Sequence, residues 1–123
     1  MTILIVDDSE LIRTMLIDYL AEAGYAATGA ADGREAIQYL RSWPFQLILL
    51  DVMMPIMNGW EMLQAISADP ALAKIPVVVM TAAANVHEIA LEQGVIGSLP
   101  KPLDVQELLG IVRYHVRERQ RAL

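Results

Sequence analysis

A chain of 123 residues with no Pro/Ser-rich linker is expected to form one domain, residues 1–123, large enough for a substantial core. It is 55% hydrophobic, yet no stretch of about 18 residues is free of charge, which argues against membrane insertion. A formal charge of −6 argues against direct nucleic-acid binding, and the absence of cysteine excludes disulfides and thiolate metal sites.

The first residues lack the basic region and small-residue cleavage site of an export signal, so the expected location is the cytoplasm. Residues 3–6, Ile-Leu-Ile-Val, read as a strand buried on both faces. Leu11, Ile12, Met15, Leu16, Tyr19, Leu20 and Ala23 then recur at three and four residues. That spacing predicts an amphipathic helix whose apolar stripe they form, stopped by Gly24. Residues 25–29 are alanine-rich and read as a weak strand near a sheet edge. Asp32 and Glu35 have the spacing of a variant capping box, opening a helix through Ala36, Ile37 and Leu40 that ends near Trp43-Pro44.

Residues 46–50 read as the central strand, and Asp51 falls where that strand leaves the sheet, a poor place for an unpaired charge. Asn58 and Glu61 repeat the capping spacing, with Met57 and Met62 as the staple of a third helix. Residues 75–80 form a fourth strand with Pro76 at its edge. Asn85 and Glu88 cap a short helix ending at Gly94, and residues 96–99 form a brief fifth strand. Asp104 and Glu107 cap the last helix, with Leu103 and Leu108 as its staple and a stripe of Val105, Leu108, Leu109, Val112 and Val116. Its end carries Arg113, Arg117, Arg119 and Arg121 against Glu118, read as cations at the negative end of a helix dipole.

Strands alternating with helices imply an α/β fold, a parallel sheet covered on both faces by right-handed crossovers. Ligands of such sheets bind beyond the carboxyl ends of the strands. Those ends carry Asp7-Asp8, Asp51, Thr81 and Lys101-Pro102. Two carboxylates about 5 Å apart repel by about 3 kcal/mol at an effective dielectric of 20, so Asp7, Asp8 and Asp51 need compensation. A divalent cation supplies it, and an all-oxygen site of carboxylates, waters and an incoming phosphate suits Mg²⁺, with Mn²⁺ able to substitute. Lys101 brings a compact positive charge for a phosphate oxygen, and Thr81 a hydroxyl donor. The set suits phosphoryl transfer to a carboxylate, where the protein positions groups and neutralises charge.

The pattern Asp7-Asp8, Asp51-x-x-Met54-Pro55-x-Met57-Asn58-Gly59, Thr81-Ala82 and Lys101-Pro102 resembles the receiver domain of two-component response regulators, in a single-domain, chemotaxis-regulator-like form. The resemblance spans the chain. It implies a five-stranded parallel, doubly wound (βα)5 flavodoxin-like sheet of strand order 2-1-3-4-5. It also implies Asp51 as phosphoacceptor, Asp8 as a direct Mg²⁺ ligand, Asp7 assisting through water, and the Met53 carbonyl as a further ligand. Thr81 and Lys101 would hold phosphate oxygens, and the Lys101-Pro102 bond would be cis. The implied partners are a histidine kinase or histidine phosphotransfer protein and a downstream protein target. The implied chemistry is the chain's own phosphorylation and dephosphorylation, not the turnover of a separate substrate.

Taken singly, Asp7-Asp8 before Ser9 could cap the first helix, and Lys101 could be a solvated turn residue. Met53, Met54 and Met57 fit core and loop packing better than a metal box. Trp60 is expected half-buried near the site, and His87 and His115 match no phosphotransfer motif. A flavin binder would need a Ser/Thr/Gly-rich loop after the first strand, and a haloacid-dehalogenase-like phosphatase a second aspartate where Met53 stands. Two positions depart from the family pattern: Ser98 occupies a usually aromatic site in the fifth strand, and the segment between Thr81 and Gly94 is short. Both keep open an alternative, a pseudo-receiver acting as a phosphorylation-independent binding module.

Overall fold

Two apolar runs, at residues 3–6 and 47–50, set the frame, because a strand without a polar face must be covered on both sides. In the computed structural model, which describes residues 2–51, 59–81 and 95–122, they lie side by side near the middle of a parallel sheet. The elements in chain order are β1 (Thr2–Val6), α1 (Glu10–Glu22), β2 (Ala26–Ala30), α2 (Gly33–Ser42), β3 (Leu47–Asp51), α3 (Gly59–Ala68), β4 (Val77–Thr81), β5 (Gly97–Pro100) and α4 (Val105–Ala122). The strand order is β2-β1-β3-β4-β5, with every pairing parallel, as the resemblance implies.

Strand pleating sorts the core into two layers. Leu4, Val6, Ile48, Leu50, Val77 and Val79 face one way, onto Ala36, Ile37 and Leu40 of α2 and Met62, Leu63 and Ile66 of α3. Ile3, Ile5, Leu47, Leu49, Val78 and Met80 face the other way, onto Leu16 and Leu20 of α1 and Leu108, Val112 and Val116 of α4. Each such side chain contributes about 1.5–3 kcal/mol by leaving water, so the middle strands are the most strongly held part of the fold.

Local chemistry sets the helix ends. Ser9 caps α1, its Oγ accepting from the Ile12 N–H at 3.3 Å. The helix closes with the Tyr25 N–H on the Leu20 carbonyl at 2.8 Å, which requires Gly24 at φ 93°. Asp32 caps α2 by accepting from the Glu35 N–H at 2.8 Å. Trp43, extended at φ −138° and ψ 149°, ends it because Pro44 disfavours a helical predecessor. Asp104 accepts from the Gln106 and Glu107 N–H groups at 2.8 and 3.2 Å, while Leu103 and Leu108 pack in one core layer. The expected caps at Asn58 and Asn85 and the helix ending at Gly94 lie outside the described residues.

Two expectations need correction. First, β2, β3, β4 and β5 each end one residue later than the apolar pattern predicts, at Ala30, Asp51, Thr81 and Pro100. Backbone pairing does not stop where hydrophobicity does: Asp51 still pairs with Met80, and Thr81 with Pro100. The start of β4 moves as well, because Pro76 has no N–H to give, although its carbonyl accepts from the Ile48 N–H at 2.9 Å. Second, α1 lays only Leu16 and Leu20 fully on the sheet, with Ile12 and Ile17 partly covered. Leu11, Met15 and Tyr19 are 78%, 41% and 36% exposed, because they form a neighbouring line, also four residues apart, turned towards solvent.

Candidate functional site

The carboxyl ends of β1, β3 and β4 hand over from apolar to polar residues within one step. Asp7 follows Val6 and continues the ladder, its N–H donating to the Ala30 carbonyl at 3.1 Å. Asp51 is the last residue of β3 and Thr81 the last of β4, one position beyond Met80, which pairs with Asp51. All three are buried. Lys101 directly follows the last residue of β5, placed by its own N–H on the Thr81 carbonyl at 2.9 Å, and the Lys101-Pro102 bond is cis.

These side chains converge. Lys101 Nζ donates to Asp7 Oδ2 and to Asp51 Oδ2, each at 3.2 Å. Asp7 Oδ1 accepts from the Ser9 N–H at 2.9 Å, so the acidic pair shapes the entry to α1 as well as the site. Asp8 is exposed at the rim. One carboxylate oxygen each from Asp7, Asp8 and Asp51 lies within 4.8 Å of the others. With one ammonium against three carboxylates, the site is left with formal negative charge. Burial works to lower the Lys101 pKa, but the charges of Asp51 and then Asp7 outweigh it and raise it above the ordinary lysine value. Lys101 is therefore charged at neutral pH.

An oxygen-only donor set, two members buried and one open to solvent, fits a hard divalent cation that keeps several waters. The cluster could hold such an ion through Asp7, Asp8 and Asp51. The Met53 carbonyl, expected as a further ligand, lies outside the described residues, as does His87. Trp60 is half-buried and packs against the α2/α3 core layer, and Ser98 is partly buried opposite Val79. His115 is far along α4, edge-on to Tyr114 with ring centroids 4.9 Å apart. One residue at this site has no sequence motif to announce it: Arg13, whose Nη1 donates to the Asp7 carbonyl at 2.7 Å. Only its place shortly after the acidic pair, on the helix that pair opens, hints at the contact.

A parallel sheet of order 2-1-3-4-5 with acidic residues and one lysine gathered at its carboxyl edge defines a class, and comparison with known proteins agrees with it. The family described as "Response regulator receiver domain" matches residues 3–113, and the chain belongs to that family. It is 38% identical over 111 residues to the chemotaxis protein CheY of Pseudomonas aeruginosa, covering 88% of this chain and 90% of that one. It is 32% identical over 120 residues to the transcriptional regulatory protein HprR of Escherichia coli, covering 96% of this chain but 52% of the regulator. The chain spans about half the length of several such curated relatives. Among solved structures, the chemotaxis response regulator CheY4 of Vibrio cholerae is similar with a TM-score of 0.85 and 33% identity, covering 92% of this chain and 96% of that one.

Proposed function

We propose that the chain is a phosphorylation switch in which Asp51 accepts a phosphoryl group from a phosphohistidine on a histidine kinase or phosphotransfer protein in the cytoplasm. The observation that carries this reading is the Lys101 ammonium held between Asp7 and Asp51 at the edge of the sheet. Asp51 is ordered by the β3 ladder, so its carboxylate is aimed before any donor arrives. A bound Mg²⁺, held by Asp7, Asp8 and Asp51, would neutralise charge on the transferring group.

One Asp51 oxygen forms the new bond to phosphorus as the bond to the donor imidazole nitrogen breaks, and the imidazole leaves with that electron pair. Lys101 then exchanges one carboxylate partner for a phosphoryl oxygen, and the Thr81 hydroxyl donates to another. Water attack on the same phosphorus returns Asp51 to a carboxylate, so the chain catalyses its own reset and turns over no separate substrate. Adding about two negative charges between Thr81 and Lys101 changes which partners the nearby surface favours.

A protein donor must cover the ground beside Asp51 while it delivers phosphorus. That ground is apolar: a groove of about 500 Å³ beside Lys101 is lined by Ile12, Met15, Pro102 and Leu103, with Leu11 exposed on the same helix.

The test is to incubate the protein with Mg²⁺ and acetyl phosphate and weigh it. A gain of one phosphoryl group, abolished in Asp51→Asn, is the expected outcome. No gain at any donor concentration, with Mg²⁺ demonstrably bound, would leave a phosphorylation-independent binding module as the function.

A further inference from the structure

Asp7 is held at all of its polar atoms. Its N–H donates to the Ala30 carbonyl at 3.1 Å. Oδ1 accepts from the Ser9 N–H at 2.9 Å, Oδ2 from Lys101 Nζ at 3.2 Å, and the carbonyl from Arg13 Nη1 at 2.7 Å. The last contact differs from the others. Its acceptor is the carbonyl of the peptide that joins the two acids, and its donor is a cation fixed on α1. A peptide unit is planar, so fixing the Asp7 carbonyl also fixes the amide and Cα of Asp8. Asp8 is exposed, and the backbone therefore decides where its carboxylate points.

Arg13 reaches this carbonyl across a notch in β2. A Cβ added at Gly29 would stand 3.1 Å from Arg13 Cδ and 3.4 Å from Ile17 Cδ1. Gly29 pairs with Ile5, one strand over from the acidic pair, and Arg13 is partly buried there. A side chain at position 29 would push the arginine stem away from the carbonyl it serves.

We infer that Arg13 is a positioning residue for the divalent-cation site: it sets the Asp7–Asp8 peptide so that both carboxylates reach the ion without rearrangement, and Gly29 is the notch that admits it. The inference rests on the cation reading above. Charge-assisted hydrogen bonds are about twice as strong as neutral ones. Outer partners of ligating groups typically change metal affinity by about 10–100-fold.

The test is Mg²⁺ titration of the unphosphorylated protein, without any phosphodonor, by calorimetry and by tryptophan fluorescence, alongside metal-free melting curves. Arg13→Ala is expected to weaken Mg²⁺ binding by about tenfold. Arg13→Lys, which keeps a donor, should recover part of that loss. Gly29→Ala should weaken binding less than Arg13→Ala and add little when combined with it, because both act through one contact. A purely structural role would lower the melting temperatures and leave the Kd unchanged, which overturns the inference. Should Arg13→Ala not fold, an unchanged Kd in both Arg13→Lys and Gly29→Ala overturns it equally. Absence of Mg²⁺ binding in the unaltered protein would sink the cation reading and this inference together. Normal binding with indifferent variants sinks the inference alone.

Discussion

Lys101 and Asp51 form a pair whose attraction is offset by repulsion among the carboxylates around it. At an effective dielectric of 20, the 3.2 Å contact attracts by about 5 kcal/mol. Each repulsion of Asp51 by Asp7 or Asp8, within 4.8 Å, amounts to about 3 kcal/mol or more before solvent screening at Asp8. The repulsions together slightly exceed the attraction, so neutralising Asp51 relieves the metal-free site. We expect Asp51→Asn to stabilise the metal-free protein by about 1 kcal/mol in urea unfolding with a chelator present. Removing Lys101 does the reverse, leaving two buried carboxylates without their cation. Lys101→Met should cost about 1–3 kcal/mol, less than a fully buried pair because the lysine side chain is 23% exposed. The pH dependence follows from its raised pKa. A lysine with a higher pKa in the folded state contributes stability that is complete below its unfolded value, about 10.4, and is lost as pH rises through the folded value. The stability gap between the unaltered protein and Lys101→Met should therefore stay level from pH 7 to about 10 and narrow above it.

Helix α1 carries two apolar lines with opposite duties. Leu16 is fully buried against the sheet, whereas Leu11 is 78% exposed. Leu16→Ala should destabilise by about 2–5 kcal/mol. Leu11→Ser should change stability by no more than about 0.5 kcal/mol. If the exposed line receives the donor, Leu11→Ser slows phosphoryl transfer from a donor protein and leaves uptake from acetyl phosphate intact; equal slowing of both would count against that surface. The sequence pattern alone could not separate the two lines, since both obey helical spacing and only the tilt of α1 on the sheet chooses between them. The same limit hid Arg13: its partner is a backbone carbonyl, which every residue has. By contrast, the runs at residues 3–6 and 47–50 admit few readings, and the aspartates that end them were legible as site candidates because a carboxylate directly after a doubly buried strand demands a reason. Strand ends moved by a residue because hydropathy is blind to hydrogen bonds that continue through Asp51 and Thr81.

At the scale of the whole molecule, the acidic cluster joins two segments that are distant in sequence, residues 7–8 just after β1 and Asp51 at the end of β3. A cation that binds it only when both are in place must stabilise the fold by mass action. At about a hundredfold excess over its Kd, Mg²⁺ should add about 2.7 kcal/mol. The melting temperature should rise with Mg²⁺ concentration in the unaltered protein and much less in Asp51→Asn. A rise of equal size in both would mean that the ion binds elsewhere. Among the described residues, no helix is long and apolar enough to cross a membrane.

The place of Asp51 in β3 has one more consequence. Every residue of that strand is buried, and both its neighbours are strands in the same sheet. Were β3 to slide by one position against β1 and β4, the carboxylate would move to the place of Leu50, inside the α2/α3 leucine and valine layer, far from any cation. An unpaired charge there would cost several kcal/mol, whereas a slipped strand of pure leucine would lose far less. Asp51 thus acts as a proofreader of its own strand: the charge that suits it to the rim of the sheet also makes the wrong alignment of the sheet intolerable.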